Sequence, residues 1–260
     1  MRIAVFDSGI GGLSVLHHAM RVLGEEQFIF YADEDHVPYG VKPREEVLGY
    51  VDAACKFLME QGVKAIVLAC NTATSVAAEE LRRRYELPII GMEPAVKRAI
   101  DLSCEGRVLV TATPITVAGR KMQNLVEHVD PAHRTDLLPL PRLVEFAEAL
   151  EFGSRAVSDY LREAFAPYDF SRYSSVVLGC THFNYFKDAM RGLLPGHVRL
   201  VDGNEGTVRE LARRLRERGE LERLSPSVEY FYSGRPVTDA AELARIGTCL
   251  ERLDRMYGIS

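Results

Sequence analysis

The chain has 260 residues, 47% hydrophobic and 27% charged, which is enough for two α/β lobes with a core each. Its formal net charge of -5 argues against nucleic acid or an anionic membrane as a partner, and no stretch approaches the roughly 18 apolar residues of a membrane span. The five cysteines are odd in number and form no CxxC pair, which argues against a disulfide framework and a structural zinc site.

The opening MRIAVFDSG enters a strand-like run without the pattern of a signal peptide, so a cytoplasmic location is expected. Further strand-like runs follow at 27–31, 65–69, 88–90, 107–111, 175–179, 198–201 and 228–232. Amphipathic stretches at 44–61, 75–85, 143–165, 186–194 and 206–218 alternate with them. This alternation predicts βαβ units and mainly parallel sheets flanked by helices, with ligands at the carboxyl ends of the strands. His17 and His18 read as helix surface and edge. The runs Arg82-Arg83-Arg84 and 209–223 are interleaved with Glu and read as solvated helix faces.

Two segments recur in the same order. RIAVFDSGIGG from Arg2 is echoed by RVLVTATPITV from Arg107, and IVLACNTAT around Cys70 by VVLGCTHFN around Cys180. The simplest account is an internal duplication giving two similar lobes. The expected division is residues 1–92 plus 206–260 for the first lobe and 93–205 for the second. Cys70 and Cys180 would then end equivalent strands and could face each other across a cleft.

Polar residues follow each of these cysteines and can cap a helix, so each thiol is expected at a helix N-terminus with a lowered pKa. Cys55, Cys104 and Cys249 lack such a setting and read as structural. Cys180-x-His182 could supply two metal ligands, but the spacing is not a standard one and no metal is expected. Two facing thiols could form a disulfide, or one could be a nucleophile. Two-base proton transfer uses both: one thiolate takes a proton from carbon and the other thiol returns one on the opposite face, with no cofactor. Pyridoxal phosphate would need a lysine in the site, and the lysines lie mostly in helix-like segments. The developing negative charge needs N–H groups and hydroxyls, for which Asp7-Ser8-Gly9, Gly11-Gly12, Asn71-Thr72, Thr113, Thr116 and Thr181 are candidates. The glycines of DSGIGG alone make only a weak phosphate-loop match and can equally serve a tight turn.

FDSGIGGLSVL, VPYG, LACNTATS, GMEPAVK, LGCTHF and YFYSG together resemble the signature segments of bacterial glutamate racemases, within the cofactor-independent aspartate/glutamate racemase superfamily. The resemblance implies two α/β lobes related by pseudo-twofold symmetry, with glutamate between them. It implies interconversion of L- and D-glutamate, supplying D-glutamate for peptidoglycan. Cys70 would remove the proton from the D-enantiomer and Cys180 from the L-enantiomer. Asp7 would assist Cys70; His182 with Glu145 would assist Cys180. Ser8, Pro38, Tyr39, Gly40, Asn71, Thr72, Thr113, Thr116 and Thr181 would hold the substrate, and Asp33 matches a family acid. A homodimer is an assembly the resemblance brings with it. The alternatives are a racemase for aspartate or another small amino acid, and an amino-acid-binding protein without turnover.

Overall fold

Among the described residues, 1–92, 94–102 and 106–260, the computed structural model has ten strands in two sheets. In chain order the strands are β1 (Arg2–Asp7), β2 (Gln27–Ala32), β3 (Val63–Leu68), β4 (Ile89–Gly91), β5 (Arg107–Ala112), β6 (Thr135–Pro139), β7 (Tyr173–Leu178), β8 (Arg199–Asp202), β9 (Ser227–Tyr232) and β10 (Arg235–Pro236). The larger sheet has the order β10-β9-β2-β1-β3-β4 and the smaller β6-β5-β7-β8. Every pairing is parallel except that of β9 with the two-residue β10. The helices are α1 (Leu13–Val22), α2 (Arg44–Glu60), α3 (Asn71–Arg84), α4 (Val96–Asp101), α5 (Pro114–Ala118), α6 (Arg120–Val129), α7 (Arg142–Glu148), α8 (Arg155–Phe165), α9 (Lys187–Arg191), α10 (Asn204–Glu217) and α11 (Ala240–Met256). None is long and apolar enough to cross a membrane.

Central parallel strands are covered on both faces, so they need continuous apolar runs rather than alternation. VKAIVL of β3 is buried at all six positions, and β1 and β5 at five of six. The two sheets repeat one plan, since β2-β1-β3-β4 corresponds to β6-β5-β7-β8. The repeat extends to a local irregularity: the register with the neighbouring strand shifts between Arg2 and Ile3 in β1, and between Arg107 and Val108 in β5. Cys70 follows the end of β3 by two residues, as Cys180 follows β7.

Several expectations are corrected. The stretch 143–165 is two helices, because Leu150 takes a left-handed φ of 58° and Ser154 starts α8 by accepting the Val157 N–H at 3.3 Å. Strand β6 had no sequence signal: it is a half-buried edge strand ending on Pro139. His17 is not at the surface, because its ring is buried and lies 2.8 Å from Asp254 of α11. Cys104 and the expected lobe boundary at residue 93 lie outside the described residues. Cys55 and Cys249 are buried among apolar side chains.

Arg82-Arg83-Arg84 and the arginines of 209–217 do lie on exposed helix faces, whereas Arg218 and Arg223 fall beyond the end of α10. Glu80 pairs with Arg83 and Arg84, and Glu210 with Arg213 and Arg214. Such exposed pairs contribute little. The buried ion pair is different. Lys64 Nζ lies 2.7 Å from Glu26, with both side chains at most 2% exposed, and it also donates to the Glu220 carbonyl at 2.7 Å. This ties the chain beyond α10 back to the larger sheet. Removing Lys64 leaves the buried Glu26 without an opposite charge, with the Glu222 N–H at 2.8 Å as its remaining partner, at about 3–5 kcal/mol. Lys64→Met is expected to lower the unfolding free energy in urea by about that amount; an unchanged midpoint would show that Glu26 finds another partner.

Candidate active site

The carboxyl ends of β1, β3, β5 and β7 meet at one small cavity. It is lined by Asp7, Ser8, Pro38, Tyr39, Gly40, Cys70, Asn71, Thr72, Thr113, Val144, Gly179, Cys180, Thr181 and His182. Its volume is about 20 Å³, room for about one water. Larger cavities of about 460 and 510 Å³ lie on other faces, but no thiol lines either of them. Chemistry, not size, singles out the small one.

On one wall, Cys70 occupies the N-cap of α3, and its sulfur accepts the Ala73 N–H at 3.4 Å. The thiol lies 3.8 Å from the Ser8 hydroxyl. Asp7, fully buried, accepts from the Ser8 N–H at 2.6 Å and from the Thr181 hydroxyl at 2.7 Å. Burial is the main influence on both groups: it pushes the Asp7 carboxyl up against the nearby His182 charge, and it pushes the Cys70 thiol up, helped by Asp7. The lowered Cys70 pKa expected from the helix N-terminus is therefore not found. The Ala73 N–H does favour the thiolate, but desolvation is larger.

On the other wall, Cys180 precedes a 3-10 turn, Thr181–Phe186, and not an α-helix. The helix-terminus argument does not apply there, and an imidazole takes its place. His182 Nδ1 lies 3.7 Å from the Cys180 sulfur, and His182 Nε2 lies 2.6 Å from Glu148 Oε1. Burial opposes a charge on the ring, but the contacts with Cys180 and Glu148 outweigh it and hold His182 well above the ordinary histidine range. Glu148 is lowered despite burial, by His182 and by Arg245. An imidazolium–carboxylate pair results.

Glu145, the expected partner of His182, is exposed on α7. Glu148, one turn later, is the carboxylate that reaches the ring. Glu148 is the last residue of α7, where the helix breaks. The Ile10 N–H also donates to Glu148 Oε1 at 3.0 Å, and Arg245 Nη2 donates to Glu148 Oε2 at 2.8 Å. Arg245 in turn lies 3.4 Å from Glu34, whose carboxyl is pushed up to about 7 by burial and by Glu148. Neither Arg245 nor Glu34 belongs to a recognisable motif, and sequence reasoning missed both.

The remaining expected residues are mostly brought together. Thr72, Thr113 and Thr116 form a hydroxyl triad, with contacts of 3.0–3.3 Å. Thr116 stands behind the first two and lines a neighbouring cavity instead. The Asn71 side-chain oxygen is buried and accepts no hydrogen bond from the described residues. Asp33 does not line the cavity; it accepts from the Tyr39 hydroxyl at 2.5 Å and from Ser233 at 2.9 Å, and so fixes the VPYG segment from behind. The described cysteines are free thiols, Cys70 and Cys180 included.

The glycines of DSGIGG serve close approach. A Cβ on Gly11 would come within 2.4 Å of His182 Nδ1 and 2.5 Å of the Thr181 hydroxyl, and one on Gly9 would strike Glu148. Gly12 is closed off in the same way by Asp7.

Comparisons with known proteins agree with this geometry. The family model for Asp/Glu/hydantoin racemases matches residues 15–211. The chain is 53% identical to a glutamate racemase of Campylobacter curvus, over the whole of both chains. Among solved structures, a glutamate racemase isoform of Bacillus anthracis superposes with TM-score 0.83 at 27% identity, covering 100% of this chain and 95% of that one. An Escherichia coli glutamate racemase in complex with L-glutamate and the activator UDP-MurNAc-Ala superposes with TM-score 0.82 at 30% identity, covering 98% and 95%.

Gly11→Ala is expected to keep its secondary structure and lose roughly 100-fold in turnover, since a displacement near 1 Å at the reacting groups costs about that much. Near-normal turnover would mean that the Thr181–His182 turn can shift freely. The His182–Glu148 pair also sets a pH dependence. The raised His182 value makes its contribution complete below the unfolded value and lost as pH rises through the folded one. The lowered Glu148 value makes its contribution present above the unfolded value and lost as pH falls. In thermal melts, the margin of the protein over Glu148→Gln should therefore peak between these limits and shrink on both sides. A margin independent of pH would show that the pair is not charged.

Proposed function

The chain belongs to the Asp/Glu/hydantoin racemase family, and we propose that it interconverts L- and D-glutamate by passing a proton between two thiols, Cys70 and Cys180. Glutamate as the substrate follows from full-length kinship with glutamate racemases. The two-thiol route is supported above all by one observation: both sulfurs line a single cavity, each at the end of an equivalent strand.

With L-glutamate, the Cys180 thiolate takes the Cα proton, so an S–H bond forms as the C–H bond breaks. The electron pair left on Cα delocalises into the carboxylate. The Cys70 thiol then donates its proton to the opposite face, leaving D-glutamate and a Cys70 thiolate. The reverse direction exchanges the two roles. The raised Cys70 value suits the donor in the first direction, because burial and the nearby Asp7 favour the thiol over the thiolate. His182 lies next to Cys180 and, as the imidazolium, can hold the proton that this thiol gives up. The hydroxyls of Thr72, Thr113 and Thr181 and the N–H groups at the start of α3 are donors for the substrate carboxylates, each such group contributing roughly 10²–10³ in rate where it meets developing charge. The unpartnered Asn71 oxygen is an acceptor for the ammonium group.

The cavity is too small for glutamate, so binding requires the lobes to part. We take residues 1–92 plus 206–260 and residues 93–205 as those lobes, a division supported by the membership of the two sheets. A cytoplasmic homodimer that supplies D-glutamate for peptidoglycan is the setting we propose.

Incubation with L-glutamate in deuterated water should give D-glutamate carrying deuterium at Cα. Exchange with aspartate but not with glutamate would overturn the substrate assignment, and no exchange with any amino acid would leave a binding protein. Cys70→Ala and Cys180→Ala should each stay folded and lose racemisation by roughly 10⁴-fold or more, the upper range for a positioned acid or base. Near-normal turnover by either variant would exclude the two-thiol route.

A further inference from the structure

We propose that Arg245 of α11 is a positioning residue for racemisation, acting through Glu148 on His182 and hence on the Cys180 proton transfer more than on the Cys70 one. The inference rests on the two-thiol reading above and adds a residue that the cavity itself does not contain.

Arg245 reaches the reaction only through other groups. A single nitrogen, Nη2, donates both to Glu148 Oε2 at 2.8 Å and to the Glu148 backbone carbonyl at 3.1 Å. It therefore grips the carboxylate and the end of α7 at once. The second carboxylate oxygen, Oε1, is left to the Ile10 N–H and to His182 Nε2. With each oxygen assigned, the carboxylate cannot rotate away from the imidazole without breaking a charge-assisted bond. The imidazole in turn presents Nδ1 to the Cys180 sulfur. Orientation thus runs along Arg245, Glu148, His182 and Cys180, from the C-terminal helix to one thiol. Among the described residues no such chain of direct contacts reaches the Cys70 sulfur, which meets Ser8 and Ala73; the His182 and Glu148 charges act on it only at one remove, through Asp7.

The surroundings fit a positioning role better than a bare surface tie. The guanidinium is 21% exposed and is shared among Glu148, Glu34 and Glu242, with Glu34 3.4 Å and Glu242 3.8 Å away. The two closest contacts of that group go to Glu148. Tyr232 and Cys249 complete the ionisable groups around it.

The test exploits the symmetry of a racemisation. L- and D-glutamate have equal energies, so kcat/KM must be equal in the two directions in any variant. Primary isotope effects carry no such constraint. If Arg245→Met slows the step at Cys180 more than the one at Cys70, the former becomes more rate-limiting. The deuterium isotope effect on kcat/KM should then rise with Cα-deuterated L-glutamate and fall with Cα-deuterated D-glutamate. The accompanying loss in kcat/KM should be roughly 10–100-fold, the range for groups that orient a functional histidine from behind. Arg245→Lys keeps the charge and should recover most of the loss, with smaller isotope shifts of the same signs. It also carries the test if Arg245→Met does not fold. Isotope effects that stay unchanged, or that move alike for both enantiomers, would reduce Arg245 to a structural tie between α11 and α7. Failure of the two-thiol reading is separate: it would appear as turnover surviving in Cys180→Ala or Cys70→Ala.

Discussion

The contact between the glycine turn after β1 and the turn after β7 holds the site together. Ile10 donates its N–H to Glu148, Thr181 donates its hydroxyl to Asp7, and His182 packs where a side chain on Gly11 would otherwise stand. Tyr185 adds a bond of 2.7 Å to the Ile10 carbonyl. The turns that follow a strand of the larger sheet and a strand of the smaller one are therefore joined beside the two thiols. In the proposed reaction, a substrate entering between the thiols would loosen some of these bonds, and closure around it would remake them. In the proposed reaction, such closure would also exclude water, in which a carbanion would be quenched without regard to face.

The two walls share a backbone plan and differ in chemistry. Both thiols follow a central parallel strand by two residues. Beyond Cys70 the chain enters α3, whose first N–H groups and the Ser8 hydroxyl surround the sulfur. Beyond Cys180 it enters a 3-10 turn that brings an imidazole alongside. A helix end supplies fixed partial charge, whereas an imidazole supplies a proton that can move. Equivalent positions in a repeated fold thus reach comparable ends by different physics. Burial acts on both walls, and on the Cys70 side it prevails over the helix N-terminus. On the His182 side the contacts with Cys180 and with a carboxylate backed by an arginine prevail over burial.

The relay on the second wall lies beside an interruption, where the segment 142–165 breaks into α7 and α8. The left-handed turn at Leu150 and the new cap at Ser154 end α7 at Glu148, and α11 then packs so that Arg245 closes over it.

The amino-acid sequence by itself determined the parallel strands, the repeat and the pair of strand-end cysteines. Those features are local: a strand buried on both faces must be a continuous apolar run, and a motif such as CNT or CTH lies within a few residues. Burial and long-range partners were decided only by tertiary structure. RLVEFAE offers two glutamates one turn apart, and nothing local distinguishes the exposed Glu145 from Glu148, which meets His182 across 34 residues and Arg245 across 97. The same holds for Gly9 and Gly11 of DSGIGG, whose need for space comes from Glu148, Thr181 and His182, more than 130 positions away. It holds for the Cys70 thiol too, since desolvation is a property of everything packed around a group and not of its neighbours in the chain.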